Sequence, residues 1–171
     1  MKKILTIMIL LSVVNNSFAQ KIMQDGIKNN VRMTMTEDKE FKIKKGVVKY
    51  RLSRFSTPEK KEFVLLFTYQ ETETPNHFPY QSKLSIINKS GQEIELTCME
   101  SFVENNYPVG MFPISQSDLN LLKEGTKMLT FELYVMEKKS GQIFRQTREY
   151  KSDIGANLKK MEKKISKQSY L

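Results

Sequence analysis

Phe63-Val64-Leu65-Leu66-Phe67-Thr68-Tyr69 is the stretch that decides the fold class. A strand with one face on a core and the other in water alternates apolar and polar residues. Here both alternating sets are apolar: Phe63, Leu65, Phe67 and Tyr69 on one side, Val64 and Leu66 on the other. That pattern predicts a central sandwich strand.

Toward the N-terminus, Val31, Met33 and Met35 alternate with Arg32, Thr34 and Thr36. Glu37-Asp38-Lys39-Glu40 reads as a polar turn, after which Phe41 and Ile43 alternate with Lys42 and Lys44. Past Gly46 the parity changes, because Val48, Tyr50 and Leu52 now face away from Lys49, Arg51 and Ser53. A glycine at such a slip predicts a β-bulge or a sharp bend. With a bulge there, Lys42, Lys44, Lys49 and Arg51 all fall on the outward face of one long strand. Toward the C-terminus, strands are predicted over 82–88, 92–99, 127–137 and 142–151. Lys89-Ser90-Gly91-Gln92 and Lys139-Ser140-Gly141-Gln142 each place Gly where a short hairpin loop needs a positive φ.

Helix is scarce. Ser117 to Glu124 reads as a short crossover helix, with Ser115 or Ser117 as N-cap, Leu119 and Leu122 on one face, and Gly125 as the stop. Ile154, Leu158, Met161 and Ile165 recur at amphipathic helical spacing, with Ser152 or Asp153 as the cap. Gly155 costs that helix about 1 kcal/mol relative to Ala. Strands at intervals of about 8–12 residues, with turn signals between them, predict an all-β, antiparallel β-sandwich carrying these two helices. The spacing resembles that of immunoglobulin-like and related sandwiches, a group hosting unrelated functions, so it implies a fold and no activity.

Composition bounds the rest. The chain has 171 residues, 39% of them hydrophobic and 27% charged, which suits one compact soluble domain. A single Cys excludes an internal disulfide framework and cysteine-cluster metal sites, and a single His excludes multi-histidine centres. Residues 1–19 read as a cleaved secretory signal: Lys2 and Lys3, the apolar run from Ile4 to Val14, then small residues at Ser17-Phe18-Ala19. The expected organisation is therefore a leader over 1–19, a sandwich over 20–151, and a basic amphipathic helix or tail over 152–171. Removing the leader leaves 26 basic against 19 acidic residues, or +7. The mature protein is expected to be exported, to the periplasm or the cell surface of a bacterium. Cys98 shares a parity with Ile94 and Leu96, so it is expected to be a buried thiol.

Two regions stand out as recognition candidates. Between Lys39 and Lys61 there are nine Lys or Arg against two acids, and the Lys42/Lys44/Lys49/Arg51 face would attract an acidic partner or an anionic envelope component. A solvated sheet face is the plainer reading. Residues 71–80 (ETETPNHFPY) are stiffened by Pro75 and Pro79, and His77, Phe78 and Tyr80 either present rings to a ligand or fold back as a plug on the sandwich. Lys159, Lys160, Lys163, Lys164 and Lys167 make the C-terminal helix basic, so its membrane contact would be peripheral at most.

No phosphate-binding glycine loop, nucleophile elbow or zinc-protease helix is present. No nucleic-acid motif occurs, so nucleic acid is not an expected partner. Met33 and Met35 extend the Val31 apolar face and read as core rather than as copper ligands. No cofactor, metal or catalytic residue is assigned. The expected function is a non-enzymatic binding or accessory module for a protein partner or anionic envelope component. The alternative is a small envelope hydrolase acting on glycans, for which Glu71/Glu73, Glu93/Glu95 and Glu100/Glu104 are the carboxylate pairs.

Overall fold

The computed structural model describes residues 24–28, 31–71, 76–79, 81–136 and 140–167, with only the backbone of 24–28 and 76–77. The expected leader lies outside the described residues. In chain order the strands are β1 (Gln24–Lys28), β2 (Val31–Met35), β3 (Lys39–Ile43), β4 (Gly46–Ser56), β5 (Lys61–Glu71), β6 (Asn76–His77), β7 (Lys83–Asn88), β8 (Glu93–Thr97), β9 (Glu100–Glu104) and β10 (Tyr107–Ile114). Helix α1 (Gln116–Lys123), β11 (Thr126–Met136), β12 (Ile143–Tyr150) and helix α2 (Gly155–Ser166) complete it.

Among the described residues every strand pairing is antiparallel. The larger sheet runs β1-β2-β4-β5-β10-β9, with β3 alongside β4, and the smaller runs β12-β11-β7-β8, with β6 alongside β11. The fold is an all-β sandwich with two helices, as the strand spacing predicts. β5 sits in the middle of the larger sheet, flanked along its length by β4 and β10. Between the sheets lies an aromatic core: Tyr50, Phe67, Phe112 and Phe131 form a chain of ring contacts 5.2–6.0 Å apart, centred on Phe67. Offset and edge-to-face pairs of this kind add about 0.5–1.5 kcal/mol each beyond their burial.

The helices close the same core. Ser115 caps α1 by accepting from the Asp118 amide, and Gly125 ends it at φ +121°. Leu119 and Leu122 from α1 join Ile154, Leu158, Met161 and Ile165 in the core between the sheets. The C-terminal segment is therefore part of the sandwich's hydrophobic unit. Gly155, which costs propensity in an isolated helix, is explained by close approach. A Cβ there would stand 2.6 Å from both the Gly125 Cα and the Leu122 carbonyl oxygen. The expected cap is replaced by a tether. The Thr126 hydroxyl donates to the Ser152 carbonyl and accepts from the Ile154 amide, while Asp153 Oδ1 accepts from the amides of Thr126 and Gly155.

The parity change at Gly46 has a different origin from the bulge expected above. β3 and β4 are two strands of a hairpin, with Ile43 opposite Gly46 and Lys44-Lys45 forming the turn. A second hairpin, β9–β10, turns at Asn105-Asn106 with φ of 51° and 68°. Asn tolerates this left-handed geometry, so Asn105-Asn106 is a turn signal carried by the sequence itself.

Candidate functional site

The outer face of the larger sheet carries the basic residues. Cross-strand register sets Lys42 opposite Val47 and Glu40 opposite Lys49, and Val47, Lys49 and Arg51 share a parity on β4. Lys42, Lys49 and Arg51 therefore do share one face, but a hairpin brings them together rather than one long strand. Lys44 stands at the hairpin tip beside Lys45 and is exposed. There the tip borders a recess of about 610 Å³ that is also lined by Glu71, Arg148 and Tyr150. Lys42 is exposed and Lys49 half-buried.

Arg51 departs from the expected role. It is 3% exposed, its Nη2 donates to Glu104 Oε2 at 3.0 Å, and its Nη1 lies 3.7 Å from Asp38 Oδ1. Burial raises the pKa of the Asp38 carboxyl, with the Arg51 charge opposing that shift. The guanidinium is thus committed to two internal carboxylates from separate loops and strands. It is a buried ion pair and not a site for an external anion.

Beyond Arg51 the same face becomes apolar. Met33, Met35, Phe55, Val64, Leu66, Val109 and Met111 form a second cluster, each no more than 4% exposed. All of its buried members belong to the larger sheet, and both helices direct their buried apolar residues into the other core. At its margin a groove of about 650 Å³ has Phe55, Val64 and Met99 in its wall and Arg54, Lys60 and Lys61 along it.

The 71–80 segment resolves in favour of a plug at Phe78. Its ring is 2% exposed and makes edge-on contacts with Phe112 and Phe131 at 5.7 and 6.2 Å. A Cβ on Gly110 would lie 2.8 Å from the Phe78 ring, so a glycine in mid-strand makes room for the plug. That glycine was the available signal. His77 pairs through its backbone with Tyr134 of β11, and its side chain, like Tyr80, lies outside the described residues.

The remaining chemical groups are engaged locally. Glu93 accepts from the Ser85 hydroxyl, and Glu95 pairs with Lys83 at 2.7 Å on the exposed face of the β7–β8 hairpin. Cys98 is a fully buried free thiol that donates to the Glu100 carbonyl, and burial raises its pKa, away from the thiolate. Among the described residues no group of three or more His, Cys, Asp or Glu is placed to hold a metal ion. No helix among them is long and apolar enough to cross a membrane. Compared with protein-family models, curated proteins and solved structures, the chain matches none of them.

Proposed function

We propose that this protein is an exported, non-enzymatic binding module that engages an acidic protein partner or anionic envelope component through the β3–β4 end of its larger sheet. The observation carrying this reading is the hairpin itself, which presents exposed Lys42, Lys44 and Lys45 together, with half-buried Lys49 behind them. Arg148 enters the same recess from the smaller sheet, while Glu71 and Glu149 at its wall select against a purely electrostatic, indiscriminate surface. A hairpin tip on a rigid sandwich presents these charges at little conformational cost.

The test compares wild type with a Lys42→Glu/Lys44→Glu/Lys49→Glu variant for retention by the protein's own envelope fraction. Retention is measured at roughly 0.05 and 0.5 M salt, where the screening length falls from about 14 to about 4 Å. Wild-type retention should fall at least about tenfold between the two salts, and the variant should already be weak at the lower one. Equal retention of both proteins would remove the hairpin from consideration.

A further inference from the structure

We infer that β12 is a self-pairing edge, through which two copies of this chain join their smaller sheets into one continuous antiparallel sheet. β12 ends the smaller sheet, and at eight residues it is the longest edge strand among the described residues. The other terminal strands, β1, β8 and β9, have five residues each, and β8 places exposed Glu93 and Glu95 along its length. Short and charged edges are the usual defence against strand addition. β12 is charged as well, at Arg145, Arg148 and Glu149, but it is longer and is bordered by exposed apolar side chains. Ile143 is 60% exposed and Phe144 44%, and their neighbours on β11, Tyr134 and Met136, are 37% and 40% exposed. Of the exposed large apolar residues described, Val103 alone lies elsewhere.

The occupant follows from the order of residues along the strand. A twofold axis normal to the sheet keeps both cores on the same side, and this requires one residue to sit opposite its own copy. Centring on Arg145, Arg148 or Glu149 sets like charges face to face. Centring on Gln146 sets Phe144 against Arg148 and Ile143 against Glu149, and pairs no charge with an opposite one. Centring on Thr147 pairs the strand best: Thr147 faces Thr147, Arg145 faces Glu149, and Phe144 faces Tyr150, the last two pairs occurring twice by symmetry, while Ile143 at the strand end faces Lys151 just beyond it. Gln146 then stands opposite Arg148, whose Nε has no hydrogen-bond partner among the described residues. Threonine, opposite-charge and aromatic cross-strand pairs are each stabilising. Ile143 to Tyr150 is therefore self-complementary in the Thr147-centred register, and a second copy is the partner whose charges and rings that pairing matches.

The experiment is sedimentation equilibrium of the purified protein over a range of concentrations, with wild type, Glu149→Arg and Arg145→Glu/Glu149→Arg compared. Glu149→Arg sets Arg145 against arginine at both symmetric positions and should weaken self-association about tenfold. The double variant exchanges the charges within each pair, so it should recover most of that loss, short of the exposed Arg145–Glu132 pair that it also breaks. Backbone amides of β12 should exchange more slowly as concentration rises, and those of β8 should not. A wild type that stays monomeric up to about 1 mM overturns the inference, as does association indifferent to Glu149→Arg. Failure of the double variant to recover overturns the Thr147-centred register. Glu149 also lines the recess beside the lysine hairpin, so sedimentation, which reads self-association alone, keeps the two readings distinguishable.

Discussion

The two faces of the larger sheet are both apolar at their centre, yet they are built by different means. On the inner face the sheet meets a second sheet and two helices, and the contact is made by rings: Tyr50, Phe67, Tyr69 and Phe112 of the larger sheet against Phe131 of the smaller one and the Phe78 plug. On the outer face the buried side chains are mainly methionine and aliphatic, and they come from one sheet. That outer face also changes character along β4, from Phe55 through the Arg51 ion pair to Lys49. The inner side of β4 stays apolar from Val48 to Leu52 before reaching Arg54. An inner layer held by rigid rings specifies which elements pack together. An outer layer of flexible thioethers and a graded charge pattern tolerates variation in what lies against it.

The contrast is sharpest in truncation variants. Phe67→Ala removes the ring at the centre of the inner core and should cost about 3–5 kcal/mol, read from chemical denaturation. Leu66→Ala, one residue away on the outer face and 1% exposed, should cost about 2–3 kcal/mol. Equal losses would mean that both faces are packed to the same tightness.

Glu104→Gln probes the boundary between the apolar and basic ends of the outer face. It leaves Arg51 buried with Asp38 as its remaining carboxylate, and should cost about 2 kcal/mol. A loss below about 0.5 kcal/mol would show that the guanidinium is as well served by Asp38 alone.

The smallest effect concerns the latch between α2 and the inner layer. Asp153 pairs with Lys89 at 2.5 Å and accepts from two backbone amides, and these contacts hold its carboxyl below the ordinary range, led by the Lys89 interaction. A carboxylate with a depressed folded pKa stabilises above its unfolded pKa, and that contribution is lost as pH falls through the folded value. Asp153→Asn should therefore cost about 1 kcal/mol at pH 7, discounted because the side chain is 39% exposed. The difference from wild type should shrink below about pH 4. A gap unchanged down to about pH 2 would assign the effect to shape and not to charge.

Strand and helix identities were legible where one local signal was enough. Val48, Tyr50 and Leu52 alternate along β4 as a half-buried strand must, and Phe63 to Tyr69 carries its central position in its doubled apolar parity. The Leu119/Leu122 and Ile154/Leu158/Met161/Ile165 spacings place both helices against a core. The basic region was legible in composition, and the shared face of Lys42, Lys49 and Arg51 came out correctly although the bulge invoked for it is a hairpin. Parity survives either geometry, because a two-residue turn and a one-residue slip both return the chain to the same side.

By itself the sequence determined the sandwich, the buried thiol at Cys98, the two helices and the sign of the surface charge, because periodicity and composition act residue by residue. Tertiary structure alone decided that Arg51 turns inward to Glu104 and Asp38, that Phe78 fills the space left by Gly110, and that Ile143 to Tyr150 lies at an edge. Each of these depends on which distant segment arrives alongside. That is set by the summed packing of the whole chain, so that even a local mark such as Gly110 gains its meaning only once Phe78 arrives beside it.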